Sequence, residues 1–309
     1  MNFKHFLQTH HWAQVREAQG HKAIWIDGNL ILIKNTKLGS FGVMNQPFVR
    51  NMDFDKLHSI AKENNLIYIH IDPNDLKGEL NLSTEVKNKY SLKSAKDIIM
   101  RQTSVIDLTK SEEELLAQMD KNTRYNSKYG LKKGVTVAMR DDEEAVEIFL
   151  KLYQETVERA NFFGRNPDYY RTVWNILRTQ NAAKISIAEY EGEPLVARFL
   201  FATDEGLFTP YTGYSRKFSN LKPTHASFFE VLRWGQSNGY KFINLWGVKP
   251  DAPESDPEYG YTKFKLGYGG EVIDYEDSFS MILDPMKFRM FTIGNNLRWS
   301  LLRFKKMFV

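Results

Sequence analysis

The densest group of basic side chains lies in residues 121–137, KNTRYNSKYGLKKGVTV, which hold five Lys or Arg residues and no acid. Four of them recur at i, i+3, i+7 and i+11 and so share one stripe of a predicted α-helix: Lys121, Arg124, Lys128 and Lys132. Such a stripe can face a polyanion or a charged partner. Two plainer interpretations stay open: a solvated helix face, and a strut whose charges pair with the acids at 112–114.

Two other segments hold side chains that could bind a polar substrate. Asp72 ends the apolar strand LIYIHIDP, where its carboxylate can either hold a substrate amine or form a turn before proline. Arg165 and Tyr169, in FFGRNPDYY, offer a guanidinium and a hydroxyl close together. The alternative for this segment is a helix cap and a turn at Asn166-Pro167.

A third segment is rich in lysine and glycine. YTKFKLGYGG (261–270) places Lys263 and Lys265 on either side of Phe264, where neighbouring glycines let a lysine approach a ligand closely. Tyr211 in PYTGYS likewise lies near a predicted strand end, two residues before Gly213.

The sequence lacks the motifs of several other kinds of catalytic or cofactor-binding site. The seven His residues have no metal-ligand spacing, and the absence of cysteine excludes thiolate chemistry. No ATP-binding P-loop and no nucleophile elbow is present. A CoA-dependent acyltransferase would carry a glycine-rich turn, led by Arg or Gln, at a helix N-terminus after a strand, and the sequence has none.

The elements that must position these side chains follow a pattern that occurs twice. Each half reads as helix, hairpin, helix and strand, which predicts an α+β fold with mixed sheets flanked by helices. With 309 residues and 42% hydrophobic composition, the chain is expected to form two domains with a boundary near 107–112. Ser111 and Glu114 form a predicted capping box at the end of this boundary segment.

The net charge of +4 permits an acidic partner without specifying one. No segment reads as a signal peptide or a transmembrane span, and the lack of cysteine suits a cytoplasmic location. The tail, 285–309, has six basic residues and no acid. Its aromatic residues suit peripheral contact with the inner membrane face or, equally, packing on the first domain: Phe288, Phe291, Trp299, Phe304 and Phe308.

Six segments, taken in order, resemble the Fem family (FemABX) of peptidoglycan-bridge aminoacyltransferases. HWAQVREAQG is similar to that family's W-x-x-V-K segment, NNLIYIHIDP to its strand ending in D-P, and NTRYNSKYGLKKGVTV to its basic helix. YTGYS, INLWGV and TKFKLGYGG resemble its Y-x-G-S, D-x-x-G-I and F-K-x-G-F-G-G blocks. The resemblance spans roughly residues 10–285, and because no heptad run occurs it implies the compact form without the coiled-coil arm.

The resemblance implies two acetyltransferase-like (GNAT-like) domains, residues 1–106 with 285–309 and residues 107–284. It implies transfer of an amino acid from aminoacyl-tRNA to the stem-peptide amine of a peptidoglycan precursor, either UDP-MurNAc-pentapeptide or lipid II. Because the donor ester is already activated, no cofactor is implied, neither ATP nor CoA.

The resemblance also implies roles for single residues at the reacting centre. Lys265 matches the family's F-K lysine and would stabilise the oxyanion formed when the amine attacks the ester. Phe264 would stack on the terminal adenosine of the tRNA. Asp72 matches the D-P aspartate, as a base or, in our preferred interpretation, as an exposed carboxylate that orients the amine.

Four further residues would bind the acceptor. Arg16 replaces the lysine of W-x-x-V-K and, with Arg165, would contact the diphosphate of the precursor. Tyr169 would donate its hydroxyl, and Tyr211 would line the channel for the muramyl peptide. The basic stripe would meet the tRNA.

Two residues depart from the family pattern. Asn244 stands where D-x-x-G-I has an aspartate, and Gly130 stands where the basic helix has an alanine. Two rival functions stay open: an acetyl-CoA-dependent N-acyltransferase of the same fold, and a non-catalytic RNA-binding module on the same scaffold.

Overall fold

The computed structural model of the chain describes residues 3–160, 162 and 164–306. Its α-helices, numbered along the chain, are α1 His10–Ala18, α2 Phe54–Glu63, α3 Thr84–Lys89, α4 Glu112–Gln118, α5 Lys121–Lys132, α6 Glu143–Ala160, α7 Pro167–Arg178, α8 Pro223–Ser237, α9 Tyr259–Leu266 and α10 Pro285–Lys306. Its strands are β1 Lys22–Ile26, β2 Asn29–Thr36, β3 Gly39–Asn45, β4 Leu66–Asp72, β5 Leu92–Ser94, β6 Gln102–Asp107, β7 Thr136–Arg140, β8 Ala183–Tyr190, β9 Glu193–Ala202, β10 Gly206–Tyr214, β11 Phe242–Gly247, β12 Glu271–Asp274 and β13 Phe279–Ile282.

The chain divides into two compact units, each built on one sheet. The first unit comprises the residues up to Arg101 and those from Tyr275 onward, and the second comprises Gln102–Asp274. These bounds differ from the sequence-based domain bounds at two strands. β6 pairs with β11 and β12 of the second unit, whereas β13 pairs with β4 and β5 of the first.

The sheet of the first unit has the strand order β1-β2-β3-β4-β13-β5. The β1–β2 hairpin turns at Asp27 and Gly28, both at positive φ, as the Asp-Gly dipeptide favours. β3 and β4 are parallel and are joined by the crossover helix α2. Their ladder continues to Asn45 and Asp72, the last residues of the two strands. The hydrogen-bonded ladder between β3 and β4 therefore continues to the carboxyl ends of both strands.

The sheet of the second unit has the order β12-β6-β11-β10-β9-β8-β7, and its parallel pair is β10–β11, joined by α8. Successive residues of β9 show which helices cover each face. Phe199 packs on Phe149 of α6 and Trp174 of α7, whereas Leu200 lies in one buried cluster with Phe228 of α8. The sheet is therefore covered by α6 and α7 on one face and by α8 on the other.

Helices α5 and α8 approach each other closely at Gly130. A Cβ atom at this position would lie 2.7 Å from the backbone oxygen of Leu221 and 2.8 Å from the Cβ of Ala226. Both are fixed atoms rather than the ends of flexible side chains. The glycine that replaces the family's alanine therefore matches a local requirement for close helix packing.

The α+β architecture with two mixed sheets flanked by helices confirms the predicted fold class. The capping box is also confirmed, since Ser111 Oγ accepts from the N–H of Glu114 and the Glu114 carboxylate accepts from the N–H of Ser111. Strands β3, β5 and β13 and helices α3 and α9 were not predicted.

Candidate active site

The parallel strands β10 and β11 pair over only three residues each, from Gly206 and Phe242 to Phe208 and Asn244. The remaining residues of both strands have no ladder between them, in contrast with the closed β3–β4 pair of the first unit. Pro210, two residues after Phe208, has no N–H to donate, and the β10–β9 register shifts between Phe208 and Tyr211. We call the resulting break in the sheet the β10–β11 opening.

A cluster of tyrosines borders the opening on the face covered by α6 and α7. Tyr211, just past the bulge, packs edge-on against Tyr170 with ring centres 5.1 Å apart and lies 6.2 Å from Tyr153. Its hydroxyl lies 3.4 Å from the hydroxyl of Tyr169. Burial, followed by Tyr169, raises the pKa of Tyr211 well above its usual value, so its hydroxyl stays protonated and can donate to a ligand.

Arg165 joins this cluster through the start of α7. Asn166 caps the helix, with its side chain accepting from the N–H of Tyr169, and Pro167 occupies the first turn. The predicted helix cap is thus present, and it also orients Arg165 and Tyr169, the predicted substrate-binding residues on either side of it. Arg165 is exposed, and its guanidinium lies 4.8 Å from the ring centre of Tyr169. Three predicted residues, Arg165, Tyr169 and Tyr211, are therefore brought together within the second unit.

Lys265 borders the opening from α9. Its Nζ donates to the carbonyl oxygen of Gly247, the last residue of β11, at 2.7 Å, and lies 4.8 Å from the ring centre of Tyr261. Burial, followed by Arg198, lowers the pKa of Lys265 to about 7, and Glu258 opposes the change. A lysine poised near neutrality can change protonation state during a reaction, which an exposed lysine cannot do at neutral pH.

Arg198 is a buried cation that sequence reasoning missed. It is 4% exposed and has no carboxylate partner among the described residues. Its guanidinium donates to Thr212 Oγ1, Ser227 Oγ and the Thr224 carbonyl at 3.1, 3.2 and 2.9 Å. Burial lowers the pKa of Arg198 to about 10. Arg198 lies within the apolar run PLVARFLFA, and α8 covers its face of the strand through Ser227 and Thr224.

Phe264 lies against the same group rather than in open solvent. Its ring centre is 5.0 Å from that of His225 and 5.3 Å from that of Tyr268, and the Arg198 guanidinium lies 5.4 Å above it. The buried Nδ1 atom of His225 has no hydrogen-bond partner among the described residues. Burial lowers the pKa of His225 to about 4, with Arg198 the next contributor, so its imidazole is neutral. Phe264 and Lys265 thus occupy one side of the opening together.

The end of β11 is strained next to this lysine. Trp246 has φ of +65°, unusual for a bulky residue, at a register shift in the β11–β6 ladder. Asn244 Oδ1 accepts from Thr103 Oγ1 at 2.6 Å and from the N–H of Trp246 at 2.7 Å. An aspartate oxygen could accept both bonds, so Asn244 preserves the arrangement that aligns Gly247 with Lys265.

The basic stripe of α5 is exposed at all four positions, Lys121, Arg124, Lys128 and Lys132. None of these side chains forms an ion pair with a carboxylate in the part of the chain that the structure describes. Glu112 pairs instead with Arg233 at 3.1 Å, and Glu114 is engaged in the capping box. These contacts disfavour the interpretation that acids at 112–114 neutralise the stripe.

Arg16 belongs to the first unit. Its guanidinium contacts Gln19 Oε1 at 2.5 Å and His21 Nε2 at 2.8 Å, so it is already engaged in local hydrogen bonds. Burial, then Arg16 and Lys34, lower the pKa of His21 to about 4, which leaves the imidazole free to accept.

Asp72 also lies in the first unit, and the prediction that its carboxylate is exposed is wrong. It is 1% exposed. Its oxygens accept from Ser278 Oγ at 2.6 Å and from the N–H groups of Ile98 and Ile99, and Oδ1 lies 2.8 Å from His70 Nε2. These bonds join β4 to the segment before β13 and to residues 98–99, which is a structural arrangement.

Comparison with known proteins identifies relatives of this chain. Residues 90–193 and 175–295 match the model of the FemAB family. The chain is 26% identical over 253 residues to a lipid II:glycine glycyltransferase of Staphylococcus epidermidis, covering 62% of this chain and 60% of that protein. It is 26% identical over 159 residues to the Staphylococcus aureus protein of the same name, covering 48% and 37%.

Solved structures extend the likeness in fold. FemX superposes with a TM-score of 0.81 at 18% identity, covering 93% of this chain and 94% of FemX. L-PGS from Bacillus licheniformis superposes with a TM-score of 0.55 at 14% identity, covering 86% and 84%. The chain spans 60% or less of the length of the two curated relatives. The family match covers more than half of its own residues, and the chain therefore belongs to the FemAB family.

Proposed function

We propose that this protein transfers an amino acid from aminoacyl-tRNA to the stem-peptide amine of a peptidoglycan precursor. The observation that carries the proposal is Lys265, a partly buried amine that donates to the Gly247 carbonyl at the point where the β10–β11 ladder has ended. The names of the relatives, lipid II:glycine glycyltransferases, support an amino-acid donor and a cell-wall acceptor.

In the proposed reaction the acceptor amine attacks the ester carbonyl of the aminoacyl-tRNA. The new C–N bond turns the carbonyl oxygen into an oxyanion, and protonated Lys265 stabilises that charge. The C–O bond to the ribose then breaks, and the amine's proton is taken up as the ribose hydroxyl forms. Because Lys265 is partly buried, water screens its ammonium less than on an exposed side chain, which would strengthen its interaction with the oxyanion.

The two faces of the second sheet suit the two substrates. Arg165, Tyr169 and Tyr211 offer a cation and two hydroxyls for the acceptor, with Arg165 as the diphosphate contact. Phe264 and Lys265 would receive the donor's 3′ end on the other side. The β10–β11 opening is where both could meet without crossing a hydrogen-bonded ladder.

Residues outside this centre have supporting roles in the proposal. The exposed cations of the α5 stripe would bind tRNA phosphates. Arg16 is retained as a second diphosphate contact, although it must exchange its bonds to Gln19 and His21. Asp72 is assigned a structural role rather than contact with the amine, because its oxygens already accept several hydrogen bonds.

An acetyl-CoA-dependent N-acyltransferase is the second candidate function, because the same fold and the same opening could serve it. The turn before α8 argues against it. It has no glycine and holds Phe218 and Lys222 at positive φ, and Pro223 opens the helix without an N–H for a pyrophosphate.

One experiment tests the proposal directly. The protein is incubated with a mixed pool of charged tRNAs and, in separate reactions, UDP-MurNAc-pentapeptide, lipid II, or either acceptor with acetyl-CoA replacing the tRNA. The expected product is heavier than the acceptor by one or more amino-acid residues in a tRNA-dependent reaction. An acetylated product, or no product with any charged tRNA, would overturn the proposal.

A further inference from the structure

Helix α10 has one face that packs on the first unit. Phe288 lies edge-on to Tyr68 with ring centres 5.0 Å apart, and Phe291 lies 5.1 Å from Phe41 and 5.5 Å from Tyr68. Asp284 begins the helix by accepting from a backbone N–H at 2.9 Å. Two of the tail's aromatic residues therefore pack on the first unit, as one of the two interpretations predicted. The structure does not describe the side chains of Trp299 and Phe304, and Phe308 lies outside the described residues.

The opposite face of α10 is apolar and exposed. At about 100° per residue, its centre lies about 160° around the helix from the packed phenylalanines. Four side chains at spacings of four, three and four residues form this apolar stripe, with 73%, 52%, 52% and 61% of their surface exposed: Met286, Met290, Ile293 and Leu297. The sequence continues the spacing at Leu301 and Phe304. Single exposed apolar residues are ordinary, but an aligned row on one helix face indicates a partner.

The charges beside the apolar stripe have one sign. Residues 285–309 hold six basic residues and no acidic one. On a helical projection Lys287 and Arg298 flank one side of the stripe and Arg289 the other, within reach of snorkelling side chains. Lys287 Nζ lies 3.4 Å from Asp284, whereas neither arginine has a carboxylate partner in the described part of the chain.

We propose that the apolar stripe of α10 docks on an anionic lipid bilayer, with the helix lying in the plane of the interface. The apolar row would enter the boundary of the acyl chains while the flanking cations meet lipid phosphates. A second copy of the chain fits less well, because two such helices would bring like charges together along both flanks. No helix among the described residues is long and apolar enough to cross a membrane.

The test is sedimentation of the full-length protein with vesicles. One set contains phosphatidylcholine alone, and the other contains equal parts of phosphatidylcholine and phosphatidylglycerol. The wild type is expected to bind the anionic set preferentially. The triple variant Met290→Gln, Ile293→Gln, Leu297→Gln should bind at least about a hundredfold more weakly. Arg289→Gln with Arg298→Gln should weaken binding to the anionic set about thirtyfold.

A matched control places glutamine at two exposed positions of α10 outside the stripe, Thr292→Gln and Asn296→Gln, and should bind as the wild type does. All these positions are exposed, so the variants should fold normally. Equal binding of the triple variant and the wild type would overturn the proposal, as would failure of the wild type to bind. The proposal would also be overturned if the wild type dimerised without binding vesicles and the triple variant did not dimerise. None of these outcomes bears on the proposed transfer reaction, which is measured separately.

Discussion

Lys265→Arg is expected to remove an alkaline loss of activity that the wild type should show. The lysine has a pKa of about 7 because burial and Arg198 disfavour its charge. If it acts as a cation on the oxyanion, activity requires the protonated form and is lost as pH rises through that pKa. About half of the lysine is charged at pH 7 and about 1% at pH 9, so its contribution falls roughly fiftyfold.

Arginine keeps its charge across this range because its pKa is above about 12. Rising pH also deprotonates the attacking amine, which accelerates both enzymes. The informative quantity is therefore the ratio of wild-type to Lys265→Arg turnover at each pH, in which the acceptor's own titration cancels. Single-turnover rates from pH 6 to 9, corrected for spontaneous hydrolysis of the aminoacyl ester, provide that ratio.

Two further variants measure how much Lys265 contributes to turnover. Lys265→Met should lower turnover by about 10²–10³ while leaving acceptor binding nearly intact. Lys263→Met is the matched control: Lys263 is exposed on the same helix and contacts only Tyr259 in the described structure. A turnover ratio that stays flat with pH would refute the cationic role, and one that rises with pH would show that neutral Lys265 acts as a base.

The remaining predictions concern binding and packing. Arg165→Ala should weaken acceptor binding by about 1.5–3 kcal/mol, and Arg16→Ala by less because its guanidinium already has local partners; both losses should shrink for an acceptor without a diphosphate. Lys128→Gln with Lys132→Gln should raise the KM for aminoacyl-tRNA and flatten the log–log salt dependence of activity by roughly 1.5–2 units. Gly130→Ala should lower the free energy of unfolding in urea by about 1–2 kcal/mol, since overpacking outweighs the gain in helix propensity.

Each of these predictions has an outcome that contradicts it. Equal losses with both acceptors would show that the arginines do not bind phosphate. Parallel salt curves would mean that the stripe is a solvated helix face. Gly260→Ala is the control for packing, because a Cβ there meets nothing within 4 Å. If Gly130→Ala matched it in stability, the contact between α5 and α8 would not be tight.

Local signals in the sequence were enough to predict most helices and the first hairpin. Asp27-Gly28 favours one turn geometry, and Ser111 with Glu114 forms its hydrogen bonds within a few residues. Helix α9 was missed because YGYTKFKL carries a glycine and β-favouring residues. Its position is fixed by tertiary contacts, including the bond from the N–H of Lys249 to the buried Thr262 hydroxyl.

Residue type together with the family resemblance indicated Lys265 and Arg165 as site residues, and their roles stay predictions. The burial of Asp72 and Arg198 was not predictable, because it depends on segments far away in the chain. Ser278 reaches Asp72 across 206 positions, and α8 covers Arg198 after a further turn and strand. From sequence alone, an aspartate at the end of a strand is expected to be exposed. Asp72 is buried because Ser278, just before β13, packs against it.

The insertion of β13 between β4 and β5 has a consequence for the order of synthesis on the ribosome. The second unit is continuous in sequence and can fold once residue 274 has emerged. The first unit, however, lacks an inner strand from the synthesis of β5, which ends at Ser94, until Phe279–Ile282 follows. At about 5–20 residues per second, that interval is on the order of 10 s or more. Throughout that delay β4, an apolar strand, has one unpaired edge that other nascent chains could join. Yield in the cell is therefore expected to depend on protecting that edge until β13 has been synthesised.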